Sequence, residues 1–456
     1  MTRWLYSCLM WLAQPLLKRK LLRRSLMEPV YGQFIDERFG RYADLVPAHA
    51  GPTVWLHAVS LGETRAAAVL VAALREQLPQ MRLLLTHGTA TGRVEGLKLL
   101  KDGDLQAWQP WDTPAAVQRF LTHFKPRLGI LMETEVWPNL VAACQQMGVP
   151  LVLANARLSE NSLRKAQRLA WLARPTFSAL SAVWAQTPLD AQRLQSLGAR
   201  VTGVMGNLKF DAAPDAGQLT TGRAWRAQLA RPVIMFASSR DGEERALLEI
   251  LGRARRDWTE GGPPAKGGES VGAAPSPRWP DGGATIHPEE VHWLIVPRHP
   301  QRFDEVAGLI ESHGFAVQRR SNWGQGGPVE MAAGKPSIWL GDSLGEMALY
   351  YGLADVALLG GSFEPLGGQN LIEAAACACP IVMGPHTFNF LEAAEQALAA
   401  GAAQRVADLD QAFAGLGALL REDTLANARL AAKRFAQSHQ GAAQRLAVAV
   451  VRGLMD

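Results

Sequence analysis

The sequence predicts an α/β protein built as two parallel-sheet domains, and three observations carry that prediction. The chain has 456 residues, too many for one typical hydrophobic core. Short apolar runs alternate with helix-like stretches, as when VWLHAV (54–59) is followed by TRAAAVLVAALREQL (64–78). That rhythm stops near 207–220, in the polar segment DAAPDAGQLTTG, and then restarts.

The first half supplies strand candidates VWLHAV (54–59), RLLLTH (82–87), LGILM (128–132), PLVLANA (150–156), AVWAQT (182–187) and RVTGVMG (200–206). The second supplies PVIMFAS (232–238), HWLIVP (292–297), SIWLG (337–341), VALLGGS (356–362) and PIVMG (380–384). Near-continuous apolar runs suit strands covered by helices on both faces. Residues 259–288 are rich in Gly and Pro, which predicts a flexible surface insertion. The last forty residues read as Ala/Leu-rich helix. The domains predicted are a 1–30 membrane-associated segment, 31–212, and 213–456.

The net charge is +5, and residues 1–41 hold eight basic against three acidic side chains, so they carry all of it. The rest is neutral, which argues against a general nucleic-acid binder. WLYSCLMWLAQPLL (4–17) is too short for a full bilayer span of about 20 residues. Gln14-Pro15 interrupts it, and no small-residue cleavage site follows. Trp4, Tyr6 and Trp11 suit a membrane interface, and KRKLLRR (18–24) suits anionic headgroups. The expectation is a membrane-seated helix with the body on the cytoplasmic side. Four cysteines without disulfide or zinc spacing suit a reducing compartment.

Ligands of open α/β sheets bind beyond the strand carboxyl ends, so the polar residues there are the candidates. Ser60-Leu-Gly-Glu63 follows the first strand. It fits a capping box first, and also a carboxylate base held at a strand-to-helix turn. METEVWPNL (132–140) offers Glu133 and Glu135, which cannot share a face of an extended segment unless the loop turns. NARLS (155–159) offers Asn155 and Arg157, and GNLKF (206–210) offers Lys209, a cation suited to developing negative charge.

In the second half, GGSFEPLGGQNLIEAAA (360–376) runs from a strand through glycines into a helix start near Asn370. Bare backbone and a helix N-terminus suit a phosphate, and Glu373, one turn in, suits ribose hydroxyls. The spacing is neither GxGxxG nor a P-loop, which disfavours a nicotinamide dinucleotide. IVPRHPQRF (295–303) presents Arg298 after Pro297, suited to bidentate phosphate contact. GDSLGEM (341–347) repeats the SLGE tetrapeptide as Ser343, Leu344, Gly345 and Glu346. ASSRDGEE (237–244) offers Ser238 and Ser239 as phosphate donors. His57, His87, His299 and His386 show no metal-ligand spacing and read as packing or loop hydrogen bonds. No cysteine nucleophile setting is present.

With these pieces in order, the chain resembles the bacterial 3-deoxy-D-manno-octulosonic acid (Kdo) transferases of lipopolysaccharide core synthesis. HAVSLGE, METEVWPNL, NARLS, GNLKFD, VPRHPQRF, GDSLGEM, GGSFEPLGGQNLIEAAA and MGPHTFNF carry the resemblance to about residue 390. It implies a GT-B glycosyltransferase, two Rossmann-like domains facing a cleft, with CMP-Kdo as donor and the lipid A precursor lipid IVA as acceptor. It implies Glu63 as proton acceptor, with Glu133 and Lys209 supporting the transition state. It places CMP against Pro297 and Arg298, against Leu344, Gly345 and Glu346, and against Asn370, Leu371, Ile372 and Glu373. Neither metal nor cofactor is expected. Partners would be the two substrates and anionic lipids of the inner membrane's cytoplasmic face, not nucleic acid. The alternatives are a GT-B enzyme using a UDP-sugar and a lipid acceptor, and a non-catalytic nucleotide-binding protein of the membrane surface.

Overall fold

The computed structural model describes residues 2–43, 45–261, 286–329 and 336–455. Of the insertion expected at 259–288, residues 262–285 lie outside them. The chain divides into two compact units, Met1–Ala212 with His439–Asp456, and Ala213–Ser438.

The first unit holds seven parallel strands: β1 (Thr53–His57), β2 (Arg82–His87), β3 (Leu105–Trp108), β4 (Leu128–Met132), β5 (Leu151–Ala156), β6 (Ala182–Ala185) and β7 (Val201–Val204). Their spatial order is β3-β2-β1-β4-β5-β6-β7. The order reverses between β1 and β4, whose register pairs Trp55 with Gly129 and Leu56 with Ile130. Helices cover both faces, so β2, β4 and β5 are buried along their whole length. Each fully buried leucine or isoleucine there contributes about 1.5–3 kcal/mol.

The second unit repeats the architecture with β8 (Val233–Ser239), β9 (His292–Pro297), β10 (Ala316–Arg319), β11 (Ser337–Leu340), β12 (Val356–Leu359), β13 (Ile381–Met383) and β14 (Ala403–Arg405). Their order is β10-β11-β9-β8-β12-β13-β14, again all parallel. Here the reversal lies between β8 and β12.

Two assignments differ from the sequence reading. Residues 439–456 were expected in the second domain. The helix Ala442–Met455 instead packs on the helix Leu61–Gln77 of the first unit. Leu446, Ala447 and Val450 are buried in one core with Leu56, Leu70 and Ile130. Asp211 anchors the return by accepting the N–H of Gly441 and Ala443, and the His439 ring stacks on Phe210 at 4.6 Å. Secondly, β3, β10 and β14 had no counterpart in the sequence reading.

The N-terminal helix Thr2–Ser25 continues through Pro15. Among the described residues, no helix is long and apolar enough to cross a membrane.

Candidate functional site

The sequence candidates of the first unit meet where its strand order reverses, beyond the carboxyl ends of β1 and β4. Ser60 is the N-cap of the helix Leu61–Gln77, and its Oγ accepts the Glu63 N–H at 3.4 Å. The Glu63 carboxylate returns the cap. Its Oε1 accepts from Ser60 Oγ and its Oε2 from the Val59 N–H, both at 3.0 Å. Glu63 is therefore a capping residue. Burial nevertheless pushes its carboxyl up to about 7, and the charges of Glu133 and Glu135 add to the rise against the hydrogen bonds. A carboxylate poised there can take a proton near neutral pH.

The loop after β4 does turn. Glu133 sits in the left-handed region at φ 56°, which re-aims its side chain relative to an extended strand. It is 7% exposed and meets two cations, Arg157 Nε at 3.2 Å and Lys209 Nζ at 3.7 Å. Glu135 accepts from Trp137 Nε1 at 3.1 Å, and burial raises its carboxyl. The cations arrive from β5 and from beyond β7. Asn155, fully buried and also left-handed at φ 52°, accepts the Leu208 N–H on Oδ1 at 3.1 Å. That bond fixes the turn Leu208–Asp211, which carries Lys209. Backbone strain at two adjacent strand ends is thus spent on aiming a carboxylate and a lysine.

His57 and His87 stand behind this site as packing residues. Burial pushes their imidazoles down to about 3 and about 4, so both are neutral at physiological pH. A separate cavity of about 610 Å³ opens beside β3, lined by Phe34, Tyr42, Leu45 and His123 among others. It contains none of the residues singled out from sequence.

In the second unit, Arg298 follows β9 and Pro297 closes it. Its N–H donates to the Ser239 carbonyl at 3.0 Å, while its side chain is exposed. Asn370 is the N-cap of the short helix Leu371–Ala376, its Oδ1 accepting the Ile372 N–H at 3.2 Å. Leu371 and Ile372 are buried and Glu373 is half-buried. Leu344 is exposed, and Gly345 is left-handed at φ 80°.

The second SLGE keeps the serine-to-glutamate bond of the first, Ser343 Oγ donating to the Glu346 carboxylate, but not its helix cap. Ser343 caps no helix; Glu346 is itself the N-cap of Met347–Leu353 and pairs with Arg320 at 2.8 Å. Asp342 accepts the Ser321 N–H and Oγ at 2.8 Å, tying its loop to the short helical turn Arg320–Asn322. The left-handed Gly345 and the pull of Arg320 separate one tetrapeptide into two local structures.

The glycine-rich loop after β12 is also less bare than its sequence suggests. Glu243, 1% exposed, accepts the N–H of Gly361 at 2.8 Å and of Phe363 at 3.2 Å. Ser239, expected to offer its hydroxyl to phosphate, is buried and donates to Glu244 Oε1 at 2.9 Å. The buried carboxylates thus brace the loops after β8 and β12. Sequence reasoning passed over Glu243 because nothing local shows a glutamate serving amides more than a hundred residues away. Among the described residues, no group of three or more His, Cys, Asp or Glu is placed to hold a metal ion.

A family model described as 3-deoxy-D-manno-octulosonic-acid transferase (kdotransferase) matches residues 33–212. The chain is 45% identical over 420 residues to 3-deoxy-D-manno-octulosonic acid transferase of Bordetella pertussis, covering 90% of each. It is 31% identical over 399 residues to the Haemophilus influenzae protein so named, covering 86% of this chain and 84% of that one. A glycosyltransferase structure from Rickettsia africae superposes with a TM-score of 0.53 at 12% identity, over 90% of this chain and all of that one. That likeness speaks to the fold alone, and the fold is the two-domain GT-B-like one. Identity at this level over nine-tenths of the chain carries more than fold: the chain belongs to the 3-deoxy-D-manno-octulosonic acid transferase family of glycosyltransferases.

Proposed function

We propose that the chain transfers Kdo from CMP-Kdo to lipid IVA with inversion, using Glu63 as general base. The observation that carries the reading is the Glu63 carboxyl, pushed up to about 7 at the strand reversal of the first unit. The acceptor's glucosamine hydroxyl is a weak nucleophile. Glu63 takes its proton as the oxygen bonds to the anomeric carbon of Kdo. The bond from that carbon to the CMP phosphate oxygen breaks, and CMP leaves from the opposite face. The carbon passes through an oxocarbenium-like state, beside which the Glu133 carboxylate places negative charge. Arg157 and Lys209 hold Glu133, and Lys209 supplies positive charge to offset the negative charge that develops in the reaction.

CMP is assigned to the second unit. Arg298 takes the phosphate, and the N-terminal turn around Asn370, Leu371 and Ile372 adds its amides. Glu373 takes the ribose hydroxyls. Pro297, Leu344, Gly345 and Glu346 complete the nucleotide's surroundings. The scheme calls on no metal or cofactor. The exposed Trp4 and Trp11, with the basic run 18–24, would seat the chain on anionic lipid at the cytoplasmic face of the inner membrane, where the acceptor's acyl chains lie.

The test is to incubate the purified chain with lipid IVA and freshly made CMP-Kdo and weigh the lipid by mass spectrometry. Gain of Kdo mass that Glu63→Gln abolishes supports the reading. No gain, beside an active family enzyme, overturns it, and competition between CMP-Kdo and UDP-sugars then tests the other donor.

A further inference from the structure

The N-terminal helix Thr2–Ser25 lies against the first unit along one face. Tyr6, Met10, Ala13, Leu17 and Leu21 are half-buried, while Trp4, Leu5, Leu9, Trp11, Leu12 and Leu16 are exposed. The spacing of the covered set is helical, so one stripe is docked and the other left open. Leu21 packs on the cluster of Tyr31, Ala90 and Trp108.

The docked stripe ends in a polar network. The Tyr6 hydroxyl lies beside the Asp112 carboxylate. Ser7 Oγ donates to Asn139 Oδ1 at 2.8 Å, and Asn139 Nδ2 donates to the Asp112 carbonyl at 2.7 Å. Asp112 and Asn139 are 4% and 3% exposed. Asp112 also accepts the N–H of Asn139 at 3.0 Å and of Leu140 at 2.7 Å. Those are first-turn amides of the helix Pro138–Gln146, whose N-cap Trp137 contributes no side-chain cap. Asp112 therefore caps that helix from across the fold. The chain entering the helix is the loop 133–137, which carries Glu133 and Glu135.

We propose that Tyr6 and Ser7 are positioning residues, holding through Asp112 and Asn139 the helix start that fixes the Glu133 loop. On this view the N-terminal helix is part of the acceptor-side machinery and not a detachable anchor. The proposal rests on the assignment of Glu133 to the reaction. Loss of the two hydroxyls leaves a buried carboxylate and a buried amide short of donors. The helix start then relaxes, and with it the loop that must aim a carboxylate to within a fraction of an ångström.

The experiment compares wild type with Tyr6→Phe, Ser7→Ala and the double variant, all full-length. The acceptor is dispersed in detergent, which removes bilayer tethering as a cause. The double variant is expected to lose kcat at least about tenfold with KM for CMP-Kdo unchanged, and the 133–141 amides should exchange faster. Leu9→Ala with Leu12→Ala, on the exposed stripe, should keep wild-type kcat in detergent. A folded double variant with wild-type kcat and exchange, beside an active wild type and an inactive Glu63→Gln, overturns the proposal alone. A wild type that transfers no Kdo overturns the assignment beneath it. Equal losses from the exposed-stripe pair also overturn the proposal, since detergent contact would then explain both.

Discussion

Lys209 Nζ lies 3.7 Å from Glu133 Oε1, joining a turn beyond β7 to the loop after β4. The pair places a cation against a carboxylate that also meets Arg157, and it depends on Asn155 holding the Leu208 amide. Replacing Lys209 with Met keeps the stem and removes the charge. Transfer should fall by about 10²–10³-fold in kcat while the fold survives, as for the loss of one electrostatic donor. Steady-state rates beside a thermal melt check this.

Glu63 invites a cleaner substitution. Gln at the third helical position still serves the cap, since it accepts the Val59 N–H as Glu does. Glu63→Gln should therefore cost at least about 10²-fold in transfer rate with little loss of stability. Alanine would lose both functions, so comparing Gln with Ala in urea unfolding separates cap from base.

The raised Glu63 carboxyl also sets a pH dependence. The base must be ionised, so kcat should fall as pH drops through about 7. The stability effect has the opposite sign. A carboxyl raised on folding binds a proton that the unfolded chain releases earlier, so its contribution is full below the unfolded value and lost as pH rises through about 7. Glu63→Gln should accordingly gain stability relative to wild type between pH 5 and 8. Melts across that window read the difference.

Arg298 is exposed just past the end of β9. Arg298→Ala should weaken CMP binding by about tenfold or more, the worth of a charge-assisted contact, and leave the melting temperature unchanged. Calorimetry with CMP measures it.

Gly360 begins the loop after β12, and a Cβ there would run into the Ser238 carbonyl oxygen and the Ser239 Cα. Both obstacles are backbone, so neither can swing aside. Gly360→Ala should destabilise the second unit by about 1–3 kcal/mol, visible as a lower denaturation midpoint.

What the sequence by itself determined were the features that neighbouring residues encode. The central strands are buried on both faces, so they appear as unbroken apolar runs. The helix after β1 begins with its own cap, so Glu63 could be singled out from four consecutive residues. The family could be recognised because its motifs keep their order along the chain.

Tertiary structure decided the rest, because the partners are distant in sequence. β3, β10 and β14 are three of the four edge strands, LQAW, AVQR and AQR, each short and paired on one side only, so little apolar material announces them. Glu243 serving the amides of Gly361 and Phe363, the last helix returning to Leu61–Gln77, and Tyr6 reaching Asp112 are contacts between segments that no local pattern relates. The two SLGE tetrapeptides make the same point at four residues. In both the serine hydroxyl bonds the glutamate, yet Ser60 is a helix N-cap while in the second the N-cap is Glu346, which also pairs with the remote Arg320. Local sequence sets what a segment is able to form; the charge and packing brought to it by remote segments select which form is kept.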